Sequence, residues 1–214
     1  MFEWYGMTED YSFVADDKMK EVEVKIRNID KDEIAQRIMA MGAVKVFSGR
    51  VIDYRFDTPD RDLSRQGKAL RIRQKGKYIY LNVKGKKKSI ENITGRDEIG
   101  VKISNFKVMH RILSELGYIK IFELSKYRTE YRLGDINFDV DEYPGLSPIL
   151  EIESDSYEKV EKYIKDLEIE PQDIGRVYIR EILAAKRRYD WNRQYNNPYR
   201  KQEVSSETSS TEHN

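Results

Sequence analysis

The chain has no cysteine. That excludes disulfides, thiolate metal centres and a cysteine nucleophile. Histidine is nearly as scarce: His110 and His213 are the two in 214 residues, too few for a histidine-based metal site. Any metal has to be held by carboxylates, which points to magnesium or manganese before calcium. No apolar run approaches the ~18 residues of a membrane span. The start carries no basic–apolar–small export pattern, so the expectation is a soluble, cytoplasmic protein. Charge of one sign is missing too. Lys+Arg 39 against Asp+Glu 38 leave a net charge of +1, so bulk attraction to nucleic acid or a membrane is not indicated. No repeat of short fixed period is visible, although strand, helix, then several strands occurs twice.

What the chain does have is charge in quantity, 36% of residues beside 39% hydrophobic ones, laid out with a period of two. In Glu21-Val-Glu-Val-Lys25 a strand puts Glu21, Glu23 and Lys25 on one face and Val22, Val24 and Ile26 on the other. Adjacent carboxylates repel each other but suit a divalent cation, and Lys25 adds a point charge suited to phosphate.

The first strand is expected over 19–28. Asp30 caps a helix carrying Ile34, Ile38 and Met41, which Gly42 ends. A long strand runs from Val44 to Asp57 into a turn at Thr58-Pro59. Strands follow at Ala69 to Arg73 and Tyr78 to Lys84, joined at Gly76-Lys77. Gly85 to Gly95, with its Lys86-Lys-Lys88 run, reads as a solvated hairpin tip. Arg96 to Ile103 is a strand, and Asn105 caps a helix through Leu116 that Gly117 ends. Tyr118 to Leu133 is one long strand or two short ones. Ile136 to Asp141 and Ile149 to Ser154 complete the set. A third helix starts at Asp155 or Ser156, and one more lies around Val177 to Arg188. The expected organisation is an N-terminal leader over 1–18, a domain over 19–190 and a polar tail over 191–214 without fixed structure.

Four of the like-charge pairs at i, i+2 stand out: Glu21/Glu23, Arg71/Arg73, Asp139/Asp141 and Glu151/Glu153. A solvated face favours neighbours of opposite sign. Acid pairs and base pairs on separate strands suggest that something charged lies between them. A polyphosphate with a divalent metal fits both halves, Arg and Lys taking phosphate and carboxylates taking metal. About eight alternating strands with few helices suggest an α+β protein built on a closed or nearly closed antiparallel barrel.

These residues resemble the CYTH superfamily, the triphosphate tunnel metalloenzymes. Glu21-Val-Glu-Val-Lys25 is similar to its E-x-E-x-K motif. Tyr54-Arg-Phe-Asp-Thr-Pro-Asp60 with Leu63, then Ala69-Leu-Arg-Ile-Arg73, resembles its Y-F-D-T-P…L…A-L-R-I-R block. Asn82-Val-Lys-Gly85, Arg96-Asp-Glu98 and Lys126-Tyr-Arg128 resemble its T-x-K-G, R-x-E and K-x-R strands. Asp141-Glu-Tyr-Pro-Gly-Leu146 and Leu150-Glu-Ile-Glu153 are similar to its ending. The motifs keep the family's order across 19 to about 155, with weaker similarity to about 184.

The resemblance implies an eight-stranded antiparallel tunnel with flanking helices that takes a triphosphate end-on with Mg²⁺ or Mn²⁺. It implies Glu21, Glu23, Glu151 and Glu153 as metal carboxylates, with Glu98 and Asp141 added. It implies Lys25, Arg71, Arg73, Lys84, Arg96, Lys126 and Arg128 as triphosphate ligands, with Lys25 and Arg73 as the candidate catalytic residues. Asp139 is read as either part of the site or structural. The partner expected is ATP, inorganic triphosphate or thiamine triphosphate, with no membrane or nucleic acid and with a homodimer as one option. The activity implied is that of a class IV adenylyl cyclase, then a triphosphatase, and third a non-catalytic binder of polyphosphate or triphosphorylated RNA.

Overall fold

In the computed structural model the described residues are 19–90, 92–175 and 180–187. The expectations for the 1–18 leader and the 191–214 tail, His213 included, lie outside them. Among these residues nine strands form: β1 (Met19–Ile26), β2 (Val44–Asp57), β3 (Ala69–Lys75), β4 (Tyr78–Lys84), β5 (Lys88–Ile90), β6 (Ile93–Ile103), β7 (Ile119–Leu133), β8 (Ile136–Glu142) and β9 (Ile149–Ser154). Five helices flank them: α1 (Lys31–Ala40), α2 (Asp62–Arg65), α3 (Phe106–Glu115), α4 (Tyr157–Asp166) and α5 over 180–187.

All neighbouring strands run antiparallel in the order β1-β9-β8-β7-β2-β3-β4-β6, and β6 returns to β1 through Glu21↔Arg96 and Glu23↔Thr94. Eight strands therefore close into a barrel, with the short β5 added on β6. Closure removes the sheet edges. The stretch from Tyr118 to Leu133 resolves as one 15-residue strand, because β2 pairs with it from Val44 to Asp57. Segment 85–95 is more ordered than a plain tip: β5 pairs with Ile93 to Gly95, so β6 begins three residues before Arg96.

Local chemistry sets the helix starts. Asp30 accepts from the Asp32 and Glu33 amides at 2.9 and 3.0 Å, and Asn105 and Ser156 cap α3 and α4 in the same manner. Ser156, not Asp155, is the third cap. Gly134 turns β7 into β8 at φ +59, a conformation that glycine reaches without the Cβ penalty.

The apolar core lies outside the barrel. Val22, Val24, Ile26, Phe138, Val140, Leu150 and Ile152 point outward and pack under α1 and α4, against Ile34, Ile38 and Val160. A second cluster of Phe56, Leu70 and Ile72 packs under α3 through Leu113. The alternation that sends these side chains outward sends their charged neighbours inward. Glu21, Glu23, Arg71, Lys84, Lys126, Arg128, Glu130, Asp139 and Asp141 are all buried.

Candidate functional site

The inward rows of seven of the barrel strands line a cavity of about 540 Å³. The chain direction of each strand shows which end it occupies. Its lining comes from the C-terminal parts of β1, β2 and β4 and the N-terminal parts of β3, β6, β7 and β9. In an antiparallel barrel these are the same end. At the other end Lys75 pairs with Glu130, and neither lines the cavity.

Within the barrel, charges meet in ion pairs. Lys84 Nζ lies 2.6 and 2.7 Å from the two oxygens of Glu21 and 2.6 Å from Glu98. Arg96 reaches Glu21 at 3.0 Å and Glu23 at 3.4 Å. Lys25 contacts Glu23 at 3.3 Å and also Glu151. Arg128 holds both oxygens of Asp141 at 2.7 Å, reaches Glu151 at 2.8 Å and touches Asp139. Lys126 also pairs with Asp141. Arg71 bonds Glu98 at 3.1 Å.

The structure thus brings every candidate from the sequence into one barrel, in two layers. Glu21, Glu23, Lys25, Arg71, Arg73, Lys84, Arg96, Lys126, Arg128, Glu151 and Glu153 line the cavity. Glu98 and Asp141 do not; they sit behind the cations as counter-ions. Asp141 is fully buried between Lys126 and Arg128.

Burial and pairing shift these groups in opposite senses. Burial opposes ionisation of Glu98, but Lys84 and Arg71 outweigh it and hold its carboxyl at about 2. Burial likewise acts against the Lys25 charge, yet Glu151 and Glu23 raise its pKa, so the ammonium stays protonated. Glu153 goes the other way. Burial, with the neighbouring Glu21 adding repulsion, pushes its carboxyl up to about 8. Burial raises Asp139 to about 7 despite Arg128.

Glu153 is the carboxylate best placed to take a divalent cation. It faces the cavity beside Glu21 and has no ion-pair partner among the described residues. Hard oxygen donors of this kind suit Mg²⁺ or Mn²⁺. Glu21, Glu23 and Glu151 are engaged by Lys84, Arg96, Lys25 and Arg128. Accordingly, no three carboxylates or imidazoles converge on a metal-sized point among the described residues. The donor set fits the ion, and the side chains would have to exchange cation partners for it.

Some site residues were missed by the sequence reading. Asp53 and Arg55 lie inward on β2. They share the parity of Asp57, so the period of two could have found them had it been carried through the whole strand. Lys86 and Lys87 are exposed as a hairpin tip is, yet both line the rim, and Lys87 stands 3.9 Å from Glu23. Ile121 and Phe122, consecutive on β7, both line the cavity, where a register shift against β2 between Arg55 and Phe56 breaks the alternation. No periodicity foretells that.

Comparison with known proteins agrees with this geometry. The profile of the CYTH domain matches residues 19–178. A protein of Methanocaldococcus jannaschii, provisionally named an adenylate cyclase, is 32% identical over 136 residues, 63% of this chain and 77% of that one. A crystal structure from Vibrio parahaemolyticus, provisionally named in the same way, superposes with a TM-score of 0.66 at 22% identity, covering 79% of this chain and all of that one. A Hippeastrum protein, described as an adenylyl cyclase candidate with a dominant triphosphatase activity, gives a TM-score of 0.51 at 20% identity over 70% of this chain and 88% of its own. The match of the domain profile to three-quarters of the chain and the closed eight-stranded barrel give one conclusion: this chain belongs to the CYTH family.

Proposed function

We propose that this protein takes a linear triphosphate into the barrel with Mg²⁺ or Mn²⁺ and breaks a phosphoanhydride bond there: in ATP the ribose 3′-oxygen loses its proton and bonds to the α-phosphorus as pyrophosphate leaves it, giving cyclic AMP. One observation carries the triphosphate reading. Eleven basic side chains face six acidic ones around the cavity, and Arg71 Nε is buried there without a hydrogen-bond partner. A highly charged anion supplies both the missing charge and the missing acceptor.

Arg128, Lys126 and Arg73 are held rigid by the carboxylates behind or beside them. Preformed cations of this kind stabilise charge that develops on a phosphoryl group without reorganising at the moment of reaction. Lys25, protonated between Glu23 and Glu151, acts as a fixed positive charge and not as a base. Glu153, Glu21, Glu23 and Glu151 are the residues that would hold the divalent ion. When bound, it neutralises phosphate charge and lowers the pKa of a water.

Cyclisation is named first because the M. jannaschii relative, at 32% identity, bears the adenylate cyclase name. Hydrolysis of inorganic, thiamine or nucleoside triphosphate is the second reading. The same cation excess serves it without any nucleoside contact, and the Hippeastrum protein of this fold is described with that activity.

Purified protein incubated with Mg²⁺ or Mn²⁺ and ATP, inorganic triphosphate or thiamine triphosphate, with products separated by chromatography, tests both. Cyclic AMP plus pyrophosphate supports the first reading. Orthophosphate supports the second. Tight triphosphate binding without any product leaves a binding module and removes the enzyme.

A further inference from the structure

Among the described residues, Arg55 is the one strand-borne cation lining the cavity that has no anion of its own. Among the described residues it makes no hydrogen bond and no ion pair, although it lines the cavity. Asp53, two residues back on the same face, is already taken: Arg73 grips it at 2.7 and 2.8 Å, and Arg71 stands 3.6 Å from it.

The cross-strand neighbour of Arg55 on β3 is Arg71. Directly opposite residues on adjacent strands lie about 5 Å apart at Cβ, where like charges destabilise. Burial, reinforced by Arg71, pushes the Arg55 guanidinium down to about 10. Arg71 contributes its own unused donor, the buried Nε. On β7 the opposite neighbour is Phe122, beside the register shift. Two guanidiniums with spare donors therefore face the same space.

Position decides what they read. Arg55 lies one inward step along β2 from Asp53, the partner of Arg73, and two residues of strand span about 7 Å. That step leads toward the C-terminal end of β2, where Ser64 and Lys68 join the lining. Arg73, Arg128 and Lys126 lie deeper. A short anion held by the deep cations stops before Arg55; a longer one reaches it.

We infer that Arg55, with the free edge of Arg71, forms an outer phosphate subsite that sets chain-length specificity, selecting triphosphates over diphosphates. This rests on the triphosphate reading above and adds to it a residue and a selectivity. It applies equally to inorganic triphosphate and to a nucleoside triphosphate, because the subsite reads the third phosphate and not the group attached to it. The absence of an internal counter-ion is then functional. A carboxylate beside Arg55 would remove the unpaired charge that distinguishes a triphosphate from a product one phosphate shorter.

Calorimetric titration of metal-free wild type, Arg55→Gln and Arg55→Lys with inorganic triphosphate and with pyrophosphate tests it. Wild type is expected to prefer triphosphate. In Arg55→Gln triphosphate affinity should fall about tenfold or more, the scale of one charge-assisted hydrogen bond, while pyrophosphate affinity stays within about twofold. Arg55→Lys, which keeps the charge but loses the fork, should fall between the two. The ligand-free melting temperature of Arg55→Gln should not drop, since the change relieves repulsion with Arg71. Equal losses for both anions, no loss for either, or a drop in melting temperature with unchanged preference would each overturn the inference. If the wild type binds neither anion, the triphosphate reading itself fails, and this one with it.

Discussion

Asp53 holds Arg73 by two parallel hydrogen bonds, Nε to Oδ1 at 2.7 Å and Nη2 to Oδ2 at 2.8 Å, and stands 3.6 Å from Arg71. One carboxylate thus orients two of the guanidiniums proposed to meet phosphate. Burial by itself would keep Asp53 protonated, but Arg73 and then Arg71 hold it well below the usual carboxylate range. Replacing it as Asp53→Asn leaves the two cations facing each other with no anion between. Removing one partner of a buried pair costs about 3–5 kcal/mol, and the partial opening of this site puts the expected loss at the lower end. The check is melting temperature with and without inorganic triphosphate. The variant should melt several degrees lower and gain more from the anion than wild type does. An unchanged melting temperature would show that Asp53 has no structural share in the pair.

Glu23 is buried between Lys25 and Arg96, against the cavity. Glu23→Gln keeps its shape but removes the charge that a divalent cation needs. Metal-dependent turnover should be abolished while the circular dichroism spectrum stays native, with the melting temperature lowered because Lys25 and Arg96 each lose a counter-charge. Undiminished turnover would take the metal away from this carboxylate.

Glu153 and Asp139 make the metal-free protein sensitive to alkali. Burial and Glu21 raise Glu153 to about 8, against about 4.3 in an unfolded chain. Burial raises Asp139 to about 7, against about 3.9. Between those values the folded state keeps protons that the unfolded chain has released. Their contribution to stability is therefore complete below about pH 4 and is lost as pH rises through 7 and 8. Glu98, at about 2, acts in the opposite sense and matters only in acid. With chelator present, melting temperature should fall between about pH 5 and 8.5, and Glu153→Gln should flatten that fall. A slope identical in the variant would exclude Glu153 as its source.

Phe138 points away from the cavity, fully buried under α4, edge-on to Tyr163 at 5.4 Å. Phe138→Ala should cost about 3–5 kcal/mol of stability. At temperatures where the variant is folded, its affinity for inorganic triphosphate should match wild type, because the outer core and the inner charges are separate layers. Denaturant unfolding and calorimetry measure the two quantities. A parallel loss of both would show that the layers are coupled.

The period-two alternation was readable in the chain itself. It assigned Glu21, Glu23, Lys25, Arg71, Arg73, Lys126, Arg128, Glu151 and Glu153 to one face of their strands, because side-chain direction in a strand is a local property. Caps such as Asp30 and Asn105 are local as well, a side-chain oxygen meeting amides two or three residues on. Which charge partners which is not local. Glu98 and Asp141 became counter-ions behind the cavity, and Asp53 the clamp on Arg73, only once strands distant in sequence were set in register. The register shift that brings Ile121 and Phe122 both inward, and the closure of β6 onto β1 that sets Arg96 against Glu21, likewise belong to the barrel. Arg55 stands without a partner because pairing is decided in three dimensions, where Asp53, its neighbour on the same strand face, is held by Arg73 and Arg71.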